Sequence, residues 1–165
     1  MNVVKFENLN NVILVGHSYG GMVISGVAEQ IPERINQMIY LDAFVPNNGE
    51  SMQTIIGSAW DNLLRPLIKD SLIGYPFGAT KPNPPTDVPQ PLKTFTETIQ
   101  ISNPLVKKIP TTYILMTKDG KGGMEPSASR ARERGWKILP FEGGHYPMRD
   151  QPEEFFVNKL KMILE

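Results

Sequence analysis

The sequence of 165 residues contains no cysteine, which excludes disulfides, thiolate metal sites and a cysteine nucleophile. Its two histidines, His17 and His145, are too few for a histidine-rich metal centre. The 17 basic and 17 acidic residues cancel, which excludes the strongly basic surface of a nucleic-acid-binding protein. No apolar run approaches the roughly 18 residues that a transmembrane helix needs, and residues 1–11 show no signal peptide. A cytoplasmic protein without a membrane or nucleic-acid partner is therefore expected.

Short apolar runs rich in β-branched residues predict buried strands. They cover residues 11–16, 38–41, 111–116 and 136–139, and Pro140 follows the last of them. Helical patterns fall between and after these runs, so strands and helices alternate. This alternation predicts an α/β protein with a parallel sheet of about four strands flanked by helices.

Three helices are expected to cover this sheet. The first follows residue 16 and ends before Pro32, and the second spans residues 126–134, with Gly135 as its C-terminal cap. The third lies at the C-terminus. The apolar stripes expected to be buried are Met22, Val23, Val27 and Ile31 in the first helix, and Phe156, Leu160, Ile163 and Leu164 in the third.

A long proline-rich insertion interrupts the alternating pattern. Residues 1–46 and 109–165 are expected to form the core, and residues 47–108 are expected to form a cap over a site, since so long an excursion with apolar stretches is rarely a linker. The side chains expected to line a substrate pocket are His17, Trp60, Leu64, Phe77 and Tyr146.

The clearest chemical motif is the segment from Gly16 to Gly20, which matches the G-x-S-x-G nucleophile elbow. A serine on a sharp turn between a strand and a helix stands clear of the sheet, and the two glycines are expected to avoid collisions within the turn. The helix N-terminus brings its positive dipole end to the serine. Ser18 is therefore the candidate nucleophile, and the backbone N–H of Tyr19 is the candidate donor to an oxyanion.

A serine nucleophile requires a base and a carboxylate that orients the base. His17 adjoins Ser18 on the sharp turn and is expected to point elsewhere, whereas His145 follows the fourth strand on a glycine-rich loop. Asp119 and Asp42 both stand at carboxyl ends of predicted strands, and both agree with the chain order Ser, Asp, His. Asp119 is preferred, and Asp42 remains the alternative acid.

These segments together resemble the α/β-hydrolase superfamily. The similarity is carried by residues 12–22, 40–46, 113–119 and 143–145, and is strongest to the branch of plant methylesterases, hydroxynitrile lyases and bacterial esterases of the pyrethroid-hydrolase type. The resemblance implies Ser18 as nucleophile, His145 as base and, from its position in a T-x-D segment, Asp119 as acid. It implies a serine hydrolase that cleaves a small carboxylic ester through an acyl-enzyme, without metal or cofactor.

The sequence departs from this branch in two respects. Members of the family have four strands before the elbow, and a loop there supplies a second oxyanion donor, whereas ten residues precede the elbow strand here. This predicts a truncated chain whose first strand is covered by a second copy or a missing N-terminal segment. An inactive or binding-only fragment is the alternative function. Hydroxynitrile lyases of the branch carry lysine after the catalytic histidine. Tyr146 occupies that position here, which disfavours cyanohydrin cleavage.

Overall fold

The computed structural model describes residues 1–76, 87–118 and 124–164, apart from the side chains of Met162 and Leu164. Two compact units are present. We call the unit of Met1–Val45 and Ser102–Glu165 the sheet unit, and the unit of Pro46–Ile101 the insert unit. Within the described residues, no helix has both the length and the apolar character needed to cross a membrane.

The helices and strands follow the predicted alternation. In chain order they are α1 (Asn2–Phe6), β1 (Val12–His17), α2 (Gly20–Gln30), β2 (Ile35–Leu41), α3 (Met52–Ile56), β3 (Ile68–Lys69), β4 (Leu72–Ile73), β5 (Gln90–Pro91), α4 (Lys93–Thr96), β6 (Thr111–Met116), α5 (Glu125–Glu133), β7 (Lys137–Phe141), α6 (Pro147–Asp150) and α7 (Lys161–Leu164). Two π-helical segments, Trp60–Leu64 and Glu154–Leu160, interrupt this pattern.

A parallel four-stranded sheet in the order β1-β2-β6-β7 forms the centre of the sheet unit, which confirms the predicted fold class. All four strands end at the same edge, where open α/β sheets place their ligands. Pro140 lies inside β7, paired in register with Leu115. The sheet tolerates this proline because β7 is an outer strand.

The central strands are buried on both faces, as their apolar runs predict. Met38 and Tyr40 of β2 pack on one face with Ala28 of α2, while Ile39 and Leu41 pack on the other. Each such side chain contributes roughly 1.5–3 kcal/mol through its removal from water. This packing on both faces holds the central strands in place, and the candidate site residues lie at the carboxyl ends of the strands.

The structure corrects the predicted buried faces of two helices. Val23 of α2 is 53% exposed, and Ile24 and Ala28 face the sheet instead. At the C-terminus Phe155, not Phe156, enters the core. The reason is the π-helical segment Glu154–Leu160, whose wider turn places residues five apart on one face. Leu160 and Ile163 pack against that core, as predicted.

The insert unit has its own small core. Its strands β3, β4 and β5 form an antiparallel sheet that the sequence did not predict. Trp60, Leu64 and Ile73 are buried together, and the Trp60 ring lies 6.2 Å from that of Phe95. Trp60 and Leu64 therefore serve as core residues of this unit. Phe77 lies outside the described residues, and the pocket and cap roles remain predictions.

Candidate active site

Ser18 occupies the sharp turn between β1 and α2. Its φ is +55°, in the left-handed region that residues with a side chain rarely adopt. The backbone N–H of Ser18 donates to the carbonyl of Leu41 at 3.3 Å, and its carbonyl accepts from Gly21 at 3.1 Å. The first contact ties the strained serine to the carboxyl end of β2 and the second ties it to the start of α2, as the turn of a nucleophile elbow requires.

Close packing at the elbow depends on a different pair of glycines from the pair in the motif. A Cβ on Gly16 would lie 2.6 Å from the carbonyl oxygen of Gly20, which confirms the need for glycine there. A Cβ on Gly20 would meet open space, so the expected collision at that position is wrong. The second residue of the elbow that needs to be glycine is Gly21, where a Cβ would lie 2.1 Å from the carbonyl oxygen of Phe44.

The ring of His145 is held by a buried carboxylate. Nδ1 of His145 lies 2.7 Å from Oδ2 of Asp42. Asp42 is only 3% exposed. A carboxylate can only accept this hydrogen bond, so Nδ1 carries the hydrogen. In the neutral ring Nε2 is then the basic nitrogen, which is the tautomer that a general base needs.

Asp42 is itself fixed by the sheet. It directly follows β2 with a φ of +40°, its N–H donates to the carbonyl of Ile114 at 2.8 Å, and its Oδ1 accepts from the N–H of Met116 at 3.3 Å. Both carboxylate oxygens are therefore engaged, one by the sheet and one by His145. Asp119 lies outside the described residues, and its role as the acid remains a prediction.

His17 lies against His145, although its predicted role was only to line a pocket. Its Nε2 is 2.7 Å from the backbone carbonyl oxygen of His145, and the two ring centroids are 4.5 Å apart. Burial lowers the pKa of His17, as does the charge of His145. The hydrogen bond to His145 and the negative charge of Asp42 oppose this shift. No sequence motif signalled this contact between residues so far apart in the chain.

Two tyrosines flank these groups. Tyr19 is the residue that precedes α2, an eleven-residue helix, and its carbonyl accepts the N–H of Met22. The Tyr146 ring lies 4.9 Å from that of His145 and 5.5 Å from that of His17. The oxyanion role of Tyr19 and the pocket role of Tyr146 remain predictions.

The site contains one serine, two histidines and one carboxylate, all in the sheet unit. Across the described part of the chain, no three His, Asp or Glu side chains group as they would around a metal ion. The chemistry that this set of groups supports is nucleophilic attack by a hydroxyl with a histidine base.

Two known proteins resemble this chain in sequence, one of them over most of its length. The carbendazim hydrolyzing esterase of Nocardioides sp. (strain SG-4G) is 32% identical over 93% of this chain and 72% of its own length. Methylesterase 1 of Arabidopsis thaliana is 34% identical over a shorter stretch, 37% of this chain and 23% of its own.

Solved structures share the fold at lower sequence identity. A pyrethroid hydrolase superposes with a TM-score of 0.76 at 19% identity, covering 98% of this chain and 73% of its own. An extracellular α/β-hydrolase from a Paenibacillus species gives a TM-score of 0.72 at 23% identity, covering 97% and 75%. A sequence model of the alpha/beta hydrolase family matches residues 2–158 of this chain. The chain belongs to the alpha/beta hydrolase family.

Proposed function

We propose that this protein hydrolyses a small carboxylic ester through a covalent acyl-enzyme on Ser18. The observation that carries the proposal is the 2.7 Å hydrogen bond between His145 and Asp42, at the same sheet edge as the strained Ser18. Support also comes from the similarity to a protein named an esterase over 93% of this chain.

In the first half of the reaction, Nε2 of His145 takes the proton of Ser18 Oγ while Oγ bonds to the ester carbonyl carbon. The carbonyl electron pair moves onto oxygen, and the N–H of Tyr19 donates to this oxyanion. When the carbonyl re-forms, the bond to the alkoxy group breaks. His145 gives its proton to the leaving alcohol, and the acyl group stays on Ser18.

In the second half of the reaction, water takes the place of Ser18 as the nucleophile. His145 takes a proton from water, the resulting hydroxide adds to the acyl carbon, and the Ser18 oxygen leaves with the proton returned by His145. A carboxylic acid is released. Throughout, the Asp42 carboxylate holds the ring through Nδ1 and stabilises the imidazolium that forms twice per turnover.

Hydrolysis of p-nitrophenyl esters of increasing acyl length tests the proposal. We expect turnover by the wild-type chain, and a loss of at least about 1000-fold in Ser18→Ala and His145→Ala, because nucleophile and base act as a unit. Ser129→Ala is the matched control, since Ser129 is an exposed serine of α5. Equal activity in Ser18→Ala and Ser129→Ala would overturn the proposal. A wild-type chain without turnover would favour the binding-only alternative.

A further inference from the structure

We propose that His17 is a positioning residue, which fixes the backbone of His145 so that the base meets Ser18 in one geometry. This inference deepens the proposed function and rests on it. It assigns to His17 a role different from the pocket-lining one that the sequence suggests.

The hydrogen bond between His17 and His145 has a defined direction. A carbonyl oxygen can only accept a hydrogen bond, so the 2.7 Å contact between Nε2 of His17 and the carbonyl of His145 requires a hydrogen on that nitrogen. Asp42 holds the ring of the same residue through Nδ1. His145 is thus held at two points. His17 holds its main chain and Asp42 holds its imidazole, and the two contacts together restrict the position of Nε2 of His145.

The loop that carries His145 needs such an anchor. Gly143 and Gly144 directly precede the histidine, and two successive glycines leave the backbone its widest range of conformations. Backbone hydrogen bonds hold the residues on either side of His145: the N–H of Lys118 donates to the carbonyl of Gly143 at 3.2 Å, and the N–H groups of Arg149 and Asp150 donate to the carbonyl of Tyr146 at 3.0 Å. The carbonyl of His145 itself is held by His17. Displacement of a reacting group by about 1 Å can cost about 100-fold in rate.

The position of His17 in the chain makes the contact specific to the site. His17 is the last residue of β1 and is covalently joined to Ser18, so the same rigid strand end carries the nucleophile and the donor to His145. A shift of the histidine loop relative to Ser18 would break the His17 contact. The contact therefore couples the two halves of the candidate catalytic pair.

The charge state of His17 suits this role. Burial is the largest effect on the pKa of His17 and lowers it, as does the charge of neighbouring His145, while the hydrogen bond to the His145 carbonyl and the charge of Asp42 oppose this shift. The lowered pKa favours the neutral ring. The Tyr146 ring also lies against it, with the two ring centroids 5.5 Å apart. A neutral donor 4.5 Å from His145 does not repel the imidazolium that forms there during turnover.

Two variants separate positioning from substrate contact. His17→Gln places an amide N–H close to the position of Nε2, whereas His17→Leu has similar bulk and no donor. We expect His17→Leu to lower kcat about 10- to 100-fold with KM changed less than about twofold, and His17→Gln to recover kcat to within about threefold. A rise in KM at unchanged kcat would overturn the inference, and so would equal losses in the two variants.

A second measurement tests the contact whether or not the chain turns over an ester. Because the chain has two histidines, long-range ¹H–¹⁵N spectra of histidine-labelled protein can be assigned with His17→Gln alone. We expect the Nε2–H tautomer for His17. The Nδ1–H tautomer would overturn the positioning role, even in an active enzyme. An inactive wild-type chain with the expected tautomer would overturn the proposed function and leave the contact established.

Discussion

His145 and Asp42, separated by 103 positions in the chain, meet through a hydrogen bond of 2.7 Å between Nδ1 and Oδ2. The carboxylate is almost fully buried at the end of β2, and the histidine lies on the loop after β7. The order of the strands in the sheet explains why these two residues are in contact. Strands β2, β6 and β7 are neighbours, so their carboxyl ends gather residues from distant parts of the chain at one edge.

This relationship leads to a prediction about two aspartates. We expect Asp42→Asn to lower kcat/KM by at least about 100-fold, because an amide cannot stabilise the imidazolium of His145 as a carboxylate does. Asp119→Asn is the matched comparison, since the resemblance to the family favours that residue. Steady-state kinetics on both folded variants decide between them. A larger loss in Asp119→Asn would assign the role of the acid to Asp119.

The elbow predicts opposite outcomes for two adjacent glycines. Gly21→Ala should destabilise the protein by about 1–3 kcal/mol or prevent folding, because its Cβ would overlap the carbonyl of Phe44. Gly20→Ala should be neutral or stabilise the protein by up to about 1 kcal/mol, since its Cβ meets open space at the first position of α2. Urea denaturation measures both variants. Similar losses of stability in the two would contradict this description of the turn.

Glu29, in the last turn of α2, predicts a pH dependence of stability. Burial would raise its pKa, but hydrogen bonds from the N–H groups of Asn103 and Ser102 and from the Ser102 hydroxyl outweigh it and lower the pKa below 4.5. A carboxylate with a lowered folded-state pKa stabilises the fold above its unfolded pKa, and this stabilisation is lost as pH falls through the folded value.

We therefore expect Glu29→Gln to lower the urea midpoint at pH 7 and to lose less stability than wild type as the pH falls below about 4.5. Glu33→Gln, at an exposed position nearby, is the control. If the stabilities of wild type and Glu29→Gln fell equally as the pH is lowered, this carboxylate would not anchor the chain at residues 102–103.

The outer strand β1 predicts association between chains. Among the described residues, no strand pairs with β1 on the side opposite β2, and its Ile13 and Val15 are 36% and 47% exposed. An open apolar edge of this kind promotes pairing between molecules. We expect sedimentation at low micromolar concentration to show species larger than a monomer, and Val15→Lys to reduce them more than Val23→Lys on α2. A concentration-independent wild-type monomer would contradict the prediction.

The elbow and the strands were predictable from local apolar runs, of which residues 136–139 gave the weakest signal because Pro140 follows them. Residues 111–116 form an uninterrupted apolar run and become β6 without a change of bounds. The buried face of the C-terminal helix was not predictable, since the π-helical turn that selects Phe155 over Phe156 is a departure from the regular period.

The candidate site was predictable in its residue types and only in part in its contacts. Ser18 and His145 follow from the motif and from the scarcity of histidine. The contacts of His145 with Asp42 and of His17 with the His145 backbone depend on how strand ends meet in space, which spacing along a chain does not encode. The need for glycine at position 21 likewise arises from a carbonyl on another segment.

Labelling with a fluorophosphonate probe, followed by peptide mapping, tests most directly whether Ser18 is an activated nucleophile. We expect the wild-type chain to carry the label on Ser18, Ser18→Ala to carry none, and His145→Ala to react at least about 100-fold more slowly, because a serine hydroxyl is a weak nucleophile without its base. A label on another serine, or an unchanged rate in His145→Ala, would contradict the assignment of Ser18 and His145 as nucleophile and base.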